Sequence, residues 1–476
     1  MSEADANTIL NPTVGWILLL LFGAAWIGLG IYWGRRAKSF DGFMLAGRNV
    51  GMALGSATAM ATWVTSNTVM LAPVFALEKG IWGMLAYSTA SFGLLLFAPL
   101  SARIRQLIPK GYTSGDFMRL RYGKFAWVLF LLITVVYSMA WLVSMGTAGG
   151  KLLETLSGIP YVNGMTMILF VCVVYTLFGG LYAVIGTDFI QSIIILIGVV
   201  LVGALVLVKT DMSQVYQSME LNQPSLINVL MPVALLSLFN NMFFGFGEVF
   251  HNNVWWSRAY AMRKDVAPRA FFVSGLLWFP IPIAAGFIAL SASALGINVV
   301  DPNTVGPLVA SSVLGKSGAI LVFIVVFCSL ASSIDSLLAA TSDLLVEDVG
   351  RKMLGVGQNE DQLRMVSKLV ICGLGILTWI LCAREMNLLE ILFLSGPLVA
   401  SAIWPVLGGL YWKRASSTGA VLAMILGSVV GLVAYYKLGW YTASLISAAI
   451  SMGVMLIFTS FQKQDFDWNT ISNNSN

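Results

Sequence analysis

The stretch Gly55–Ser56–Ala57–Thr58–Ala59–Met60–Ala61–Thr62, continued by Trp63–Val64–Thr65–Ser66–Asn67–Thr68 and Pro73, is an apolar segment interrupted by glycine, small residues and hydroxyls. It sits in a run long enough to cross a bilayer core of about 30 Å. Its composition nevertheless favours a helix that breaks. A second such segment carries Asn240–Asn241, Gly245, Gly247, Glu248, His251, Asn252 and Asn253. Paired interrupted membrane helices, at matching places in two halves of a chain, mark the binding site of transporters built from inverted repeats. Here they open two successive blocks of five helices, 50–208 and 228–412. No residue-level repeat relates the blocks, so the symmetry rests on hydropathy.

The rest of the chain fits that frame. Of 476 residues, 58% are hydrophobic and 10% charged, against roughly 25% charged in soluble domains. Apolar runs of membrane-spanning length predict an all-α integral membrane protein of thirteen helices. They cover 13–33, 50–77, 81–106, 125–150, 160–180, 184–208, 228–258, 268–295, 305–346, 367–384, 387–412, 417–436 and 440–461. The ninth exceeds one crossing and predicts an added turn or a strong tilt. Residues 1–49 then form an N-terminal extra helix, 50–208 and 209–412 the two repeats, and 413–476 two C-terminal helices with a cytoplasmic tail. The tail after Lys463, QDFDWNTISNNSN, is polar and reads as disordered.

With the N-terminus outside, alternation puts 21 of the 27 basic residues at cytoplasmic ends, Lys38, Arg121, Arg258 and Lys463 among them. Six fall outside: Lys79, Lys151, Lys209, Lys316, Arg384 and Lys437. This bias predicts a multi-pass cell-membrane protein with an outside N-terminus and a cytoplasmic C-terminus. It also places the net charge of +5 in loops, which argues against a nucleic-acid partner. The N-terminus lacks a basic leader and a cleavage site, and the first run is too long for a signal peptide. No Walker loop appears. The four cysteines lie in apolar segments without metal spacing, and a single histidine, His251, excludes a multi-His centre. No catalytic constellation is present, so an enzyme is not expected.

Polar residues inside the membrane are costly and are candidates for function. Ser329, Ser332, Ser333 and Ser336 recur at i, i+3, i+4 and i+7 on one helical face. Hydroxyls there, with carbonyls freed by a broken partner, make a neutral oxygen cage suited to a hard monovalent cation such as Na+; close packing of small residues is the alternative. Asp188, at the start of the sixth helix, either draws a cation inward or caps that helix. Glu248 and His251 stand one turn apart, with Asn252 and Asn253 following. They either bind a small polar solute, with Thr65 and Thr68, or form a structural network around an unwound turn. Trp63 and Trp255 are candidate gates, with interfacial anchoring as their alternative. Asp335 and Asp343 receive no role.

Several motifs, in order, resemble the sodium:solute symporter family across roughly residues 40 to 430. They are Ala46–Gly47–Arg48; Thr113–Ser114–Gly115–Asp116–Phe117 with Arg121–Tyr122–Gly123; Tyr175–Thr176–Leu177–Phe178–Gly179–Gly180–Leu181 with Thr187–Asp188 and Gln191; Trp256–Ser257–Arg258–Ala259; Ser332–Ser333 with Glu347–Asp348; and Tyr411–Trp412–Lys413–Arg414 with Gly419–Ala420. The resemblance implies a leucine-transporter-type five-plus-five inverted repeat with flanking helices. It implies a sodium site of carbonyls from Ala61, Val64 and Ser329 with hydroxyls of Ser332 and Ser333, and Asp188 on the sodium exit path.

Trp63 stands where the proline branch has aspartate. Thr68 and Glu248 stand where the sugar branch has glutamine and an aromatic gate. Neither specificity carries over. The run Phe246–Ala259 is most similar to the urea/polyamine branch. Together these imply sodium-coupled uptake of a small polar solute by alternating access, with urea or a similar small amide foremost. A symporter for proline or another organic solute, proton coupling and channel-like permeation are the alternatives.

Overall fold

A lipid core offers no water to backbone groups, so a chain that enters it satisfies them within its own helices. The computed structural model describes residues 9–37, 39–228, 230–299, 301–357, 359–462 and 465–474, and they are helical almost throughout. The one β-type contact among them is an isolated bridge between Val50 and Met262. Lys38 and Lys463, two cations of the loop count, lie outside the described residues, as does the start of the N-terminal tail.

Eleven helices among the described residues are long and apolar enough to cross a membrane, against the thirteen expected. The difference lies in helices that continue through their turns. Tyr161–Lys209 counts 49 residues, enough for two crossings of about 20 residues each, and is two helices joined at Gly180 with no loop between them. Gly180 breaks it with φ 52°, ψ −142°, a conformation that a side chain would disfavour. Ser66–Leu107 is similarly interrupted at Gly80. Thirteen crossings follow only where each of these two runs is taken as a pair. The long ninth segment, Val305–Leu344, bends at Gly315 and continues as a π-helix through Met353.

Both expected breaks are present. Met52–Trp63 ends at Val64 (φ −79°, ψ 80°), and Ser66–Ser88 begins after Thr65. Pro73 lies inside the second half and is not the break. Pro232–His251 ends at Asn252, and Asn253–Ala261 restarts at once.

Polarity is inverted relative to a soluble protein. Large apolar side chains such as Leu21, Val200, Ile376 and Val433 are exposed on the outer helices. Thr58, Asp188, Gln191, Arg258, Asp335 and Ser336 are fully buried. The helix of Ser329–Ser336 packs against Tyr161–Lys209, Lys124–Ser157 and Met52–Trp63, which sets the polar residues of all of them at the centre.

One expectation about the C-terminal tail is corrected. The tail is ordered where described: Phe466 N–H donates to the Lys413 carbonyl at 2.9 Å, and Ile471 is buried. The Arg121 guanidinium lies 4.0 Å from the Phe466 ring centre and donates to the Gly409 and Trp412 carbonyls. Such a cation–π contact tethers an otherwise polar tail. Between the crossings expected at 81–106 and 125–150 lies the short helix Ser114–Tyr122. It is capped reciprocally by Thr113 and Asp116. Burial raises the Asp116 carboxyl, but Lys352, at 2.6 Å, outweighs this and holds it below its ordinary range.

Candidate ion and solute site

A helix end leaves its last carbonyls without partners. At the end of Met52–Trp63 each of three is met by a side chain. The Ala61 carbonyl accepts from Ser332 Oγ at 3.0 Å, and the Thr62 carbonyl from Ser333 Oγ at 3.1 Å. The Trp63 carbonyl accepts from Trp278 Nε1 at 2.7 Å and Thr68 Oγ1 at 3.2 Å. Both serines also reach the Ser329 carbonyl, at 3.2 and 2.9 Å. Four of the five expected ligand residues, Ala61, Ser329, Ser332 and Ser333, therefore meet. Val64 sits on the break itself, and Thr62 rather than Val64 supplies the carbonyl facing Ser333. The group is uncharged, all oxygen and fully buried. Such oxygens are the ligands that hard cations take.

Directly beside it lies a charged cluster. Asp188 is buried inside Tyr161–Lys209, eight residues past the Gly180 break, so it is not an N-cap. Its Oδ2 accepts from Thr58 Oγ1 at 2.6 Å and Arg258 at 3.2 Å. Arg258 donates also to Thr62 Oγ1 (2.7 Å), Ser336 Oγ (2.6 Å) and the Val254 carbonyl (3.1 Å). Arg258, assigned by sequence to a cytoplasmic loop, is thus an internal cation with no exposure. Asp335 accepts from Tyr175 OH at 2.8 Å. Asp188 Oδ1 and both amide atoms of Gln191 are buried without a partner among the described residues. The fourth serine of the stripe, Ser336, belongs to this cluster.

On the other side of the break is a cavity of about 40 Å³, lined by Thr65, Asn67, Thr68, Asn241 and Glu248 with a set of aromatic rings. Three of the expected solute residues, Thr65, Thr68 and Glu248, face it. Trp63 forms one wall and meets Trp141, Trp255 and Trp278 edge to face, with centroids 4.9–6.4 Å apart. Trp255 is fully buried behind Glu248, donating to both carboxylate oxygens at 3.1 and 3.2 Å.

The remaining expected solute residues stand elsewhere. His251 turns Nδ1 back to the Gly247 carbonyl at 2.6 Å, between the edges of Phe130 and Tyr137. Asn252 caps Val254 N–H at 3.0 Å. Asn253 accepts from Ser114 N–H at 2.9 Å and donates to the Ala340 carbonyl at 2.8 Å. Each of these three bonds backbone groups, and none of them lines the cavity. Sequence reasoning missed Thr58, Arg258, Asn67, Asn241, Tyr137, Trp141 and Trp278. For Arg258 the available signal was a lone arginine following two tryptophans within an apolar span.

The fold and site define a polytopic helical transporter organised around a broken helix. Comparison with known proteins agrees: the sodium:solute symporter family matches residues 43–427, and the chain belongs to that family. A urea-proton symporter of Oryza sativa subsp. japonica is 25% identical, over 98% of this chain and 74% of its own length. The sodium/pantothenate symporter of Escherichia coli is 26% identical, over 89% of each chain. A sodium/proline symporter of Staphylococcus saprophyticus is 24% identical, over 90% and 87%. The structure of a Na+-coupled sialic acid symporter shares the fold with a TM-score of 0.81 at 19% identity, covering 95% of this chain and 98% of that one. MhsT, solved with L-phenylalanine, matches at a TM-score of 0.50 and 16% identity over 86% and 99%. The protein is a membrane transporter and not an enzyme.

Proposed function

We propose that this chain couples the inward movement of sodium to uptake of a small, polar, nitrogen-bearing solute, with urea or a similar small amide the leading candidate. The observation that carries sodium coupling is the meeting of the Ser332 and Ser333 hydroxyls with the Ala61 and Thr62 carbonyls across the break. Two hydroxyls and three carbonyls, counting Ser329, form a neutral cage. A monovalent cation would take over those oxygens when the hydroxyls rotate their protons away. Asp188 then stands on the cytoplasmic route out. The blocks 50–208 and 209–412 act as the repeats that rock about this centre, with the N-terminus outside and the C-terminus cytoplasmic.

Size supports a small solute. The cavity offers about 40 Å³ to water-sized occupants, and one water needs about 10–15 Å³. Some three waters' worth of space suits a planar solute of four heavy atoms better than a sugar. One charge crossing about 100 mV supplies roughly 2.3 kcal/mol. A tenfold sodium gradient adds about 1.4 kcal/mol. One ion per solute would therefore sustain accumulation of about 500-fold.

Proton coupling is the second possibility, favoured by the rice relative. Uptake by proteoliposomes, with an inward sodium gradient and then with an inward proton gradient alone, separates the two. Solute accumulation that follows protons and ignores sodium would overturn the sodium assignment.

A further inference from the structure

The solute cavity is lined by one acidic side chain, Glu248, and by no basic one. Glu248 is 1% exposed, and the Trp255 indole, shared between its two oxygens, is its one side-chain donor among the described residues. A carboxylate offers about four acceptor positions, so most of its capacity is unused. No lysine, arginine or histidine lines the cavity. Of the nearby bases, Arg258 is shared among Asp188, Thr58, Thr62 and Ser336, and His251, which does not line the cavity, turns Nδ1 to the Gly247 carbonyl and leaves its buried Nε2 without a partner among the described residues. A carboxyl buried in a membrane protein stays neutral by keeping its proton unless a cationic partner stabilises the carboxylate. Here the space beside Glu248 that remains for a partner is the solute's own.

The walls favour the same sign. Trp63, Tyr87, Tyr137, Trp141 and Trp278 surround the cavity, and aromatic faces attract cations, tryptophan most strongly. We propose that the solute selected by this cavity is a small organic cation bearing N–H donors, of the guanidinium or amidinium class, with Glu248 as its counter-ion. Guanidinium has the shape and size of urea, so the same 40 Å³ cavity accommodates both; charge alone distinguishes them. This inference rests on the importer assignment above and replaces its leading solute, urea, with a cation of the same shape.

The test uses the full chain in proteoliposomes, with an inward sodium gradient and the membrane potential clamped at zero by potassium and valinomycin. Labelled guanidinium and labelled urea are compared in the wild type and in Glu248→Gln. The wild type is expected to favour guanidinium by at least about tenfold, the lower end for a buried charge pair. Glu248→Gln should abolish that preference while keeping sodium-induced thermal stabilisation. If the glutamine variant does not fold, Glu248→Asp serves instead and should retain the preference. Wild-type preference for urea, absence of guanidinium uptake, or an unchanged ratio in Glu248→Gln overturns the proposal. Sodium-driven urea uptake with no guanidinium uptake overturns the charge selectivity alone. Uptake of both solutes indifferent to sodium overturns the importer assignment instead.

Discussion

At Val64–Thr65 the freed carbonyls are met by hydroxyls from a different helix, whereas at Asn252 the broken turn is closed by its own neighbours. Asn252 caps the restarting helix from within. Asn253 fastens it to Ser114 N–H and to the Ala340 carbonyl. The first break is held by uncharged groups that can turn their protons elsewhere. The second is held by amides that bond backbone groups, Asn253 through both its donor and its acceptor and Asn252 through its oxygen alone, its Nδ2 having no partner among the described residues. A break can thus be a place for an exchangeable ligand or a rigid joint, and the chemistry of what fills the orphaned groups decides which.

Four substitutions probe this contrast. Arg258, which follows the second break, should show the largest effect. Arg258→Ala strands Asp188 in the core and should cost about 3–5 kcal/mol, read as a lowered unfolding midpoint in detergent. A shift below about 1 kcal/mol would show that Asp188 finds another partner.

At the first break, Ser332→Ala combined with Ser333→Ala should lower sodium-driven uptake by at least about a hundredfold, some 2.7 kcal/mol. Sodium-induced thermal stabilisation should disappear with it. Sodium dependence that survives the double change would erase the distinction drawn here. Asn253→Ala removes two buried hydrogen bonds and should cost about 1–3 kcal/mol of stability. The sodium concentration for half-maximal uptake should stay where it was, and a large rise in it would make the second break part of the ion site. Asn252→Ala should show the smallest effect, about 1 kcal/mol from the lost cap. Asn252→Ser should recover most of it.

Much of this was legible in the sequence. Hydropathy marked the helices, and small or polar residues marked both that would break. The serine spacing placed Ser332 and Ser333 on the face that meets Ala61. What escaped notice concerned direction and distance. The boundaries expected near 77–81 and 180–184 fall on the kinks at Gly80 and Gly180, but hydropathy did not show that the crossings adjoin there without a loop. Arg258 sits at the end of an apolar run, where basic residues usually meet the cytoplasm. Its partner, Asp188, is 70 residues away in the chain, and no local pattern records the pairing. Glu248 and His251 are one turn apart, but only the first faces the cavity. The imidazole instead returns to the carbonyl four residues back, a choice that composition does not reveal.

The ordered tail bears on biosynthesis. Phe466, Trp468 and Ile471 leave the ribosome after every long helix described above. The cover over Arg103 and Arg121 is therefore completed last. A nascent chain cut short before Asp465 would reach the membrane with its helices made but with these two guanidiniums lacking the aromatic rings of the tail. Cellular quality control would meet in that pair a chemical mark of an unfinished molecule.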